Sequence, residues 1–285
     1  MRYYFLRFPE GKFKAVTFSY DDAVRQDLRL AETINRHGIK CSFNVNSARL
    51  NDAHHLSTQE LQALIKDGHE ITVHGQIHRA PGVIRPVDGI REVLMCRLEL
   101  EQMLGRIIRG MAYPDTGITR FSNQASYESI RHYLKDLGIV YARTLGGDND
   151  RFDLPQDWHA WMPTAHHKNP KVLEYAEKFA AMTDLDRCHP AAHDARLFYL
   201  WGHSYEFDND NNWEHLEKLC EVLGGKADTW YATNIEIYDY VTAYHSLVHS
   251  ADGKTIYNPT LLTILFEVDK KLYCIESGQT LTIEE

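Results

Sequence analysis

The sequence predicts an α/β protein whose parallel strands close into a (β/α) barrel. Three observations carry this expectation. Short β-rich runs alternate with helix-length amphipathic stretches from Lys14 onward, the pattern of a parallel sheet flanked by helices. About seven such repeats follow one another over roughly 240 residues, which favours a barrel over an open sheet. The length of 285 residues suits one large domain, and no Pro/Gly/Ser-rich linker, low-complexity tract or internal repeat divides it.

The series opens with strand Ala15 to Tyr20, a helix from about Val24 to Arg36 ended by Gly38, and strand Cys41 to Val45. Ser57 with Glu60 three residues later has capping-box spacing, so a helix is expected from Ser57 to Lys66, followed by strand Glu70 to Val73. A long helix from about Asp88 to Leu104 leads to strand Gly110 to Tyr113, helix Ser122 to Leu137 and strand Ile139 to Thr144. The stretch from Gly146 to His167 is the least patterned. Helix Pro170 to Met182, strand Arg196 to Trp201, helix Trp213 to Leu223, strand Ala232 to Ile235 and helix Glu236 to Ser246 complete the alternation. The tail from Lys254 to Thr282 reads instead as two or three short strands with Asp-Lys and Ser-Gly turns. Residues 1–250 are therefore expected to form the barrel and residues 251–285 a small β-rich extension packed on it.

Composition narrows the function classes. Lys+Arg 31 against Asp+Glu 40 gives a net charge of −9, against the basic footprint of a nucleic-acid binder. Apolar content of 44% and charged content of 25% exclude a disordered or fibrous chain. No apolar run approaches the roughly 18 residues of a membrane span. Arg7, Glu10 and Lys12 interrupt the apolar core that a signal peptide needs. The expectation is a soluble, cytoplasmic chain without a membrane or nucleic-acid partner, and a homo-oligomer is compatible with it. Cys41, Cys96, Cys188, Cys220 and Cys274 are odd in number and never form CxxC, which predicts buried thiols rather than disulfides or a cysteine zinc site.

In such a barrel the chemistry gathers at the C-terminal ends of the strands. Asp21 and Asp22 follow the first strand; two adjacent carboxylates there can bind a metal and accept a proton, or one can simply cap the next helix. His74 and His78 follow the third strand, four residues apart, a spacing that presents two imidazoles to one ion. In a chain with 16 histidines that spacing also arises by chance. His203 follows the strand Arg196 to Trp201 and suits a general acid, since an imidazole carries a proton near neutral pH; a packed rim residue is the alternative. The coincidence of all five at strand ends is what singles them out.

The combination resembles the polysaccharide deacetylase family, carbohydrate esterase family 4 with its NodB-homology domain, whose members fold as distorted (β/α)7 barrels and use one divalent metal. The first motif of that family, Thr-Phe-Asp-Asp, is similar to Thr17-Phe18-Ser19-Tyr20-Asp21-Asp22 and implies Asp21 as catalytic base and Asp22 as metal ligand. The second, His-(Ser/Thr)-x-x-His, resembles His74-Gly75-Gln76-Ile77-His78 and implies two further ligands, with Gly75 where a hydroxyl is usual. The fifth, an apolar strand ending in His, resembles Leu197 to His203 and implies His203 as general acid. The resemblance runs over roughly residues 13–240.

Two motifs depart. The third is normally of Arg-Pro-Pro-Tyr-Gly type, with an arginine that orients the base; here Met111-Ala112-Tyr113-Pro114-Asp115-Thr116-Gly117 has none, so something else must orient Asp21. Asp153-Leu154-Pro155-Gln156-Asp157-Trp158 matches the fourth only loosely. Tyr113 and Asp115, the latter near a backbone N–H for the oxyanion, and Trp158 with His166 are the expected substrate contacts; Trp161 and His167 are further candidates for a sugar groove. Asp208 to Asn212 imitates a calcium loop but has Trp213 in place of the required Gly, so helix capping explains it better. No Gly-x-Gly-x-x-Gly or P-loop supports a nucleotide cofactor.

The expected function is metal-dependent hydrolysis of an acyl group, acetyl above all, from an N- or O-acetylated sugar or polysaccharide. Asp22, His74 and His78 would hold one divalent ion, zinc by default, with cobalt, nickel and manganese compatible. Two alternatives stand beside it: hydrolysis of a small cyclic amide, and a non-catalytic carbohydrate binder on the same barrel.

Overall fold

The N-terminal residues do not open the barrel. β1 (Tyr4–Arg7) precedes it, and the computed structural model, which describes residues 2–146, 148–183 and 193–284, places the first barrel strand at β2 (Lys14–Asp21). Every residue of β2 is buried. Val16, Phe18 and Tyr20 face the helices, while Thr17, Ser19 and Asp21 alternate into the barrel, as the two-residue period of a strand requires. α1 (Asp27–Arg36), β3 (Cys41–Val45), α2 (Thr58–Lys66), β4 (Glu70–Val73), α3 (Pro86–Leu104), β5 (Gly110–Ala112), α4 (Tyr127–Asp136) and β6 (Tyr141–Arg143) continue the alternation. Ser57 caps α2 through the expected capping box with Glu60, and Ser126 caps α4 through Ser129, which starts that helix later than its apolar pattern suggests.

Beyond β6 come β7 (Ala165–His166), α5 (Val172–Ala181), β8 (Arg196–Gly202), α6 (Tyr205–Asn209), α7 (Trp213–Leu223), β9 (Thr229–Tyr231) and α8 (Asn234–His245). The parallel order is β6-β5-β4-β3-β2-β8-β7, with β9 paired to the lower half of β2. Among the described residues no full strand joins β6 to β8. Trp161 bridges to Arg143 and Ala165–His166 pair with Leu200–Trp201, so one short segment spans the gap. That gap is the distortion of the (β/α)7 barrel that the sequence leads one to expect. The strand expected at Ala232 to Ile235 lies three residues earlier, because Thr233 and Glu236 form a capping box that already belongs to α8. The short α6 and β7 carry no periodic signal. Asp208 accepts bonds from Trp213 and Gln26, and Asn212 makes no side-chain cap at α7, so neither calcium loop nor cap describes that run.

β10 (Val248–His249), β11 (Thr255–Tyr257), β12 (Ile264–Val268), β13 (Lys271–Ile275) and β14 (Thr280–Thr282) form the C-terminal part. β12 and β13 join through Asp269 and Lys270, both at positive φ (48° and 74°), the backbone of a tight hairpin turn. β1 pairs antiparallel with β12, so both chain ends build this sheet. Leu6, Phe8, Ile264, Phe266 and Ile275 share one core with Ile237, Tyr240 and Val241 of α8. Cys41, Cys96 and Cys220 are buried free thiols, Cys274 is an exposed one, and Cys188 lies outside the described residues. Among the described residues no helix is long and apolar enough to cross a membrane.

The shared core makes a prediction. Phe266→Ala removes a fully buried ring and should lower stability to urea by about 3–5 kcal/mol while leaving one cooperative transition. A separate early transition for the C-terminal sheet would contradict a common core.

Candidate active site

The site is assembled where β2, β4, β5, β6 and β8 end. After Asp21 the chain turns sharply: the Asp22 N–H still bonds the Asn44 carbonyl (2.9 Å), but Asp22 and Ala23 sit at φ 80° and 51°. This left-handed step is costly for residues with a Cβ and places the two carboxylates at one mouth. His78 (φ 65°) and Asp115 (φ 53°) repeat it. Gly75 is at φ 78°, and a Cβ there would lie 3.0 Å from Glu92 Oε2. A serine or threonine there would have to adopt a left-handed backbone and crowd the Glu92 carboxylate, which holds the loop by accepting from the Ile77 N–H (3.1 Å).

Asp22, His74 and His78 converge. Asp22 Oδ1 is 3.9 Å from His74 Nε2 and 3.6 Å from His78 Nε2, and the imidazole centroids are 4.9 Å apart. His74 Nδ1 donates to the Ala112 carbonyl (2.9 Å), which leaves the Nε2 lone pair directed at the cluster. Asp22 Oδ1 and His74 Nε2 are buried without hydrogen-bond partners. Orphaned polar atoms of this kind are costly unless something polar lies between them, and one oxygen with two imidazole nitrogens is a donor set for a divalent cation. These residues fit the metal that the family implies.

Asp21 lies beside them, 1% exposed. Asn44 Nδ2 donates to its Oδ1 (2.7 Å), and Arg143 Nη2 donates to both oxygens (2.7 and 2.5 Å). The arginine absent from the third motif is thus supplied by β6. Arg143 is itself fully buried, lies 4.2 Å over the Trp201 ring and donates to the Thr144 carbonyl (3.2 Å). Burial pushes the Asp21 carboxyl up, but Arg143, then His74 and His203, outweigh it and hold it at about 2. A sequence signal for the residue was available, since Arg143 lies one residue before the end of the expected strand Ile139 to Thr144, near the edge where Asp21 and His74 follow theirs.

His203 Nε2 is 3.9 Å from Asp21 Oδ2, and Nδ1 is 3.3 Å from Glu206 Oε2. Burial pushes its pKa down, but Glu206 and the Asp21 and Asp22 charges more than compensate, so it titrates above an ordinary histidine. Asp21, His74, His78, His203, Tyr113, Asp115 and Trp201 line a cavity of about 350 Å³. Tyr113 offers its ring; its hydroxyl donates to the His159 carbonyl (2.8 Å).

Other expected contacts are not at this cavity. Trp158 packs against Trp161 and Tyr238 in the second core, and Trp161 is buried between Tyr141 and Tyr199; both rings fill the distorted barrel wall rather than a sugar groove. Asp157 caps the turn at His159 and Asp153 pairs with Arg196, so neither acid of the loose fourth motif reaches Asp21 or His203. His166 stands behind His203, its Nε2 3.2 Å from Glu206, and His167 is buried against Phe207.

The buried pair makes a prediction with a defined pH sign. Arg143→Ala strands the Asp21 charge and should cost about 3–5 kcal/mol in urea unfolding, with Arg143→Lys costing less. Because the Asp21 carboxyl is held at about 2 when folded against about 3.9 when unfolded, its contribution is present above pH about 4 and fades as pH falls toward 2. That acid-side loss should be absent in Arg143→Ala.

No curated protein sequence matches this chain. Among solved structures, a Mycobacterium smegmatis protein assigned as a polysaccharide deacetylase aligns over 84% of this chain and 94% of its own, with TM-score 0.55 and 16% identity. A family 4 acetyl xylan esterase from Clostridium thermocellum, in complex with a cobalt ion, aligns over 79% and 91% with TM-score 0.50 and 15% identity. The Streptococcus pyogenes deacetylase PplD, in complex with acetate, aligns over 46% of this chain at TM-score 0.41 and 15% identity; this chain spans 55% of its length. These likenesses concern the fold. The family model for polysaccharide deacetylase matches residues 9–141, a span that includes the Asp21-Asp22 and His74-His78 pairs, so over that span the chain is similar to the polysaccharide deacetylase family.

Proposed function

We propose that this protein is a metal-dependent hydrolase that removes an acetyl group from an N- or O-acetylated sugar. The observation that carries the reading is that the Asp22-His74-His78 donor set, whose two imidazoles line the cavity, stands beside a buried, arginine-held Asp21 and a histidine of raised pKa that line it too. A divalent ion held by Asp22, His74 and His78 supplies Lewis acidity, which acidifies water and polarises an acyl carbonyl.

Asp21 acts as general base through Oδ2, the oxygen nearest His74 and His203. Arg143 and Asn44 fix its orientation and keep it ionised, so it is always competent to accept a proton although it is a weak base. Such a base serves only where the water is made strongly acidic, which matches the Lewis-acid site beside it. His203 Nε2 gives a proton to the departing nitrogen or oxygen, and the backbone N–H near Asp115 meets the developing oxyanion. The Tyr113 and Trp201 rings provide apolar walls for one sugar unit; about 350 Å³ is at the small end of ligand pockets. The same size keeps a small cyclic amide as the competing substrate. A binder without catalysis loses its main support, because Arg143 supplies the guanidinium that the third motif lacks.

Asp22→Ala or His74→Ala should abolish bound metal, measured by elemental analysis, together with acetate release. Asp21→Asn should keep the metal and lose about 10²- to 10⁴-fold in rate. Full metal and turnover in the first pair, or unchanged kinetics in the last, would remove those roles. Acetate release from N- and O-acetylated sugars measured beside ring opening of small cyclic amides decides the substrate class; a preference for the amides overturns the saccharide reading.

A further inference from the structure

Behind His203 lies a cluster that the proposed chemistry does not yet use. Glu206, on the one-turn helix α6, accepts from the His203 backbone N–H at Oε2 (3.2 Å). The same oxygen is 3.3 Å from His203 Nδ1, 3.2 Å from His166 Nε2 and 3.3 Å from His167 Nε2, while Lys168 Nζ stands 4.0 Å from Oε1. The ligand atoms of His166, His167 and Glu206 lie within 4.8 Å of one another, which suggests a second cation site. The tautomer of His166 argues otherwise. Its Nδ1 accepts the Lys168 backbone N–H (3.1 Å), so the ring proton of the neutral imidazole is on Nε2, which donates to Glu206 and has no lone pair for a metal. Glu206 therefore accepts from the His203 backbone N–H, from His203 Nδ1 and from His166 Nε2, while His167 Nε2 lies beside it without a hydrogen bond.

We propose that Glu206 is the positioning residue for the general acid: it holds the His203 ring by Nδ1–H, turns Nε2 toward the cavity, and balances the imidazolium charge, with His166 holding Glu206 in place. This rests on the reading of His203 as the acid. The geometry is that of a neutral or charged imidazole oriented through its far nitrogen, so the catalytic nitrogen needs no other restraint. The titratable groups facing His203 among the described residues are Glu206 and Tyr205 from α6, Asp21 and Asp22 from the end of β2, His166 from β7 and His167 just after it. Among the described residues Glu206 is the carboxylate that contacts Nδ1; Asp21 approaches Nε2 from the cavity side. A purely structural role would be limited to capping the His203 backbone N–H.

The test compares Glu206→Gln, which keeps the shape and an acceptor for that N–H, with wild type. Nitrogen-15 NMR of the His203 ring should show it titrating lower by about one pH unit in the variant. For acetate release from an N-acetylated sugar, kcat should fall about 10²-fold with KM nearly unchanged. The fall should be at least about tenfold smaller for p-nitrophenyl acetate, whose leaving group needs no proton. An unchanged His203 titration, or equal losses on both substrates, overturns the proposal in favour of a cap. Should Glu206→Gln fail to fold, Glu206→Asp, which keeps the charge but withdraws it from Nδ1, should give intermediate values, and wild-type values would overturn it. The titration is read without substrate. A wild-type protein that releases acetate from neither probe therefore sinks the acid reading while the Glu206 pairing is still decided.

Discussion

A buried ion pair at the top of the barrel, Arg143 on Asp21, constrains everything around it. Two charges removed from water are tolerable only when their remaining hydrogen-bonding atoms find partners. Here Asn44 completes the Asp21 shell, the Thr144 carbonyl accepts from Arg143 Nη1, and the Trp201 face covers the guanidinium, whose buried Nε alone makes no hydrogen bond. Asn44 in turn accepts from Thr72 and donates to Ser19. The polar interior continues downward: Thr17 and Tyr199 meet at Asn234, and Ser42 donates to Glu70, which also accepts from Tyr141. An interior of this kind specifies strand register strongly, since a one-residue slip would turn every polar group into the apolar layer beneath the helices.

The same interior explains why the metal-type donors sit on strained backbone. β2 and β4 deliver Asp21 and His74 from regular strands, but their partners Asp22 and His78 must fold back over the mouth, which left-handed residues accomplish. Strain of about 1–3 kcal/mol per such residue is sustained by the surrounding bonds, including Glu92 under the His74 to His78 loop and the Asn44 carbonyl on Asp22.

Trp201 ties the two halves of the site together. One face stacks on Arg143, which orients Asp21, while the His166 ring, which holds Glu206, meets it edge-on at 4.5 Å. The proton-accepting side and the proton-donating side of the cavity therefore share one buried aromatic wall, and β8 supplies both that wall and His203.

Local pattern determined a great deal here. Alternation of strands and amphipathic helices, capping spacings at Ser57, and carboxylates and imidazoles at strand ends are encoded within a few residues of one another, so the barrel order and Asp21, Asp22, His74, His78 and His203 were legible without coordinates. Tertiary structure decided the rest because the deciding contacts are far apart in the chain. Arg143 and Asp21 are separated by 122 residues, and nothing local marks that pairing. Trp158, which read as a sugar platform, is drawn instead into the wall left by the missing strand, and a two-residue strand with one turn of helix sets His166 and Glu206 behind His203. Short elements of that kind have no period to betray them; their position follows from what the long elements leave unfilled.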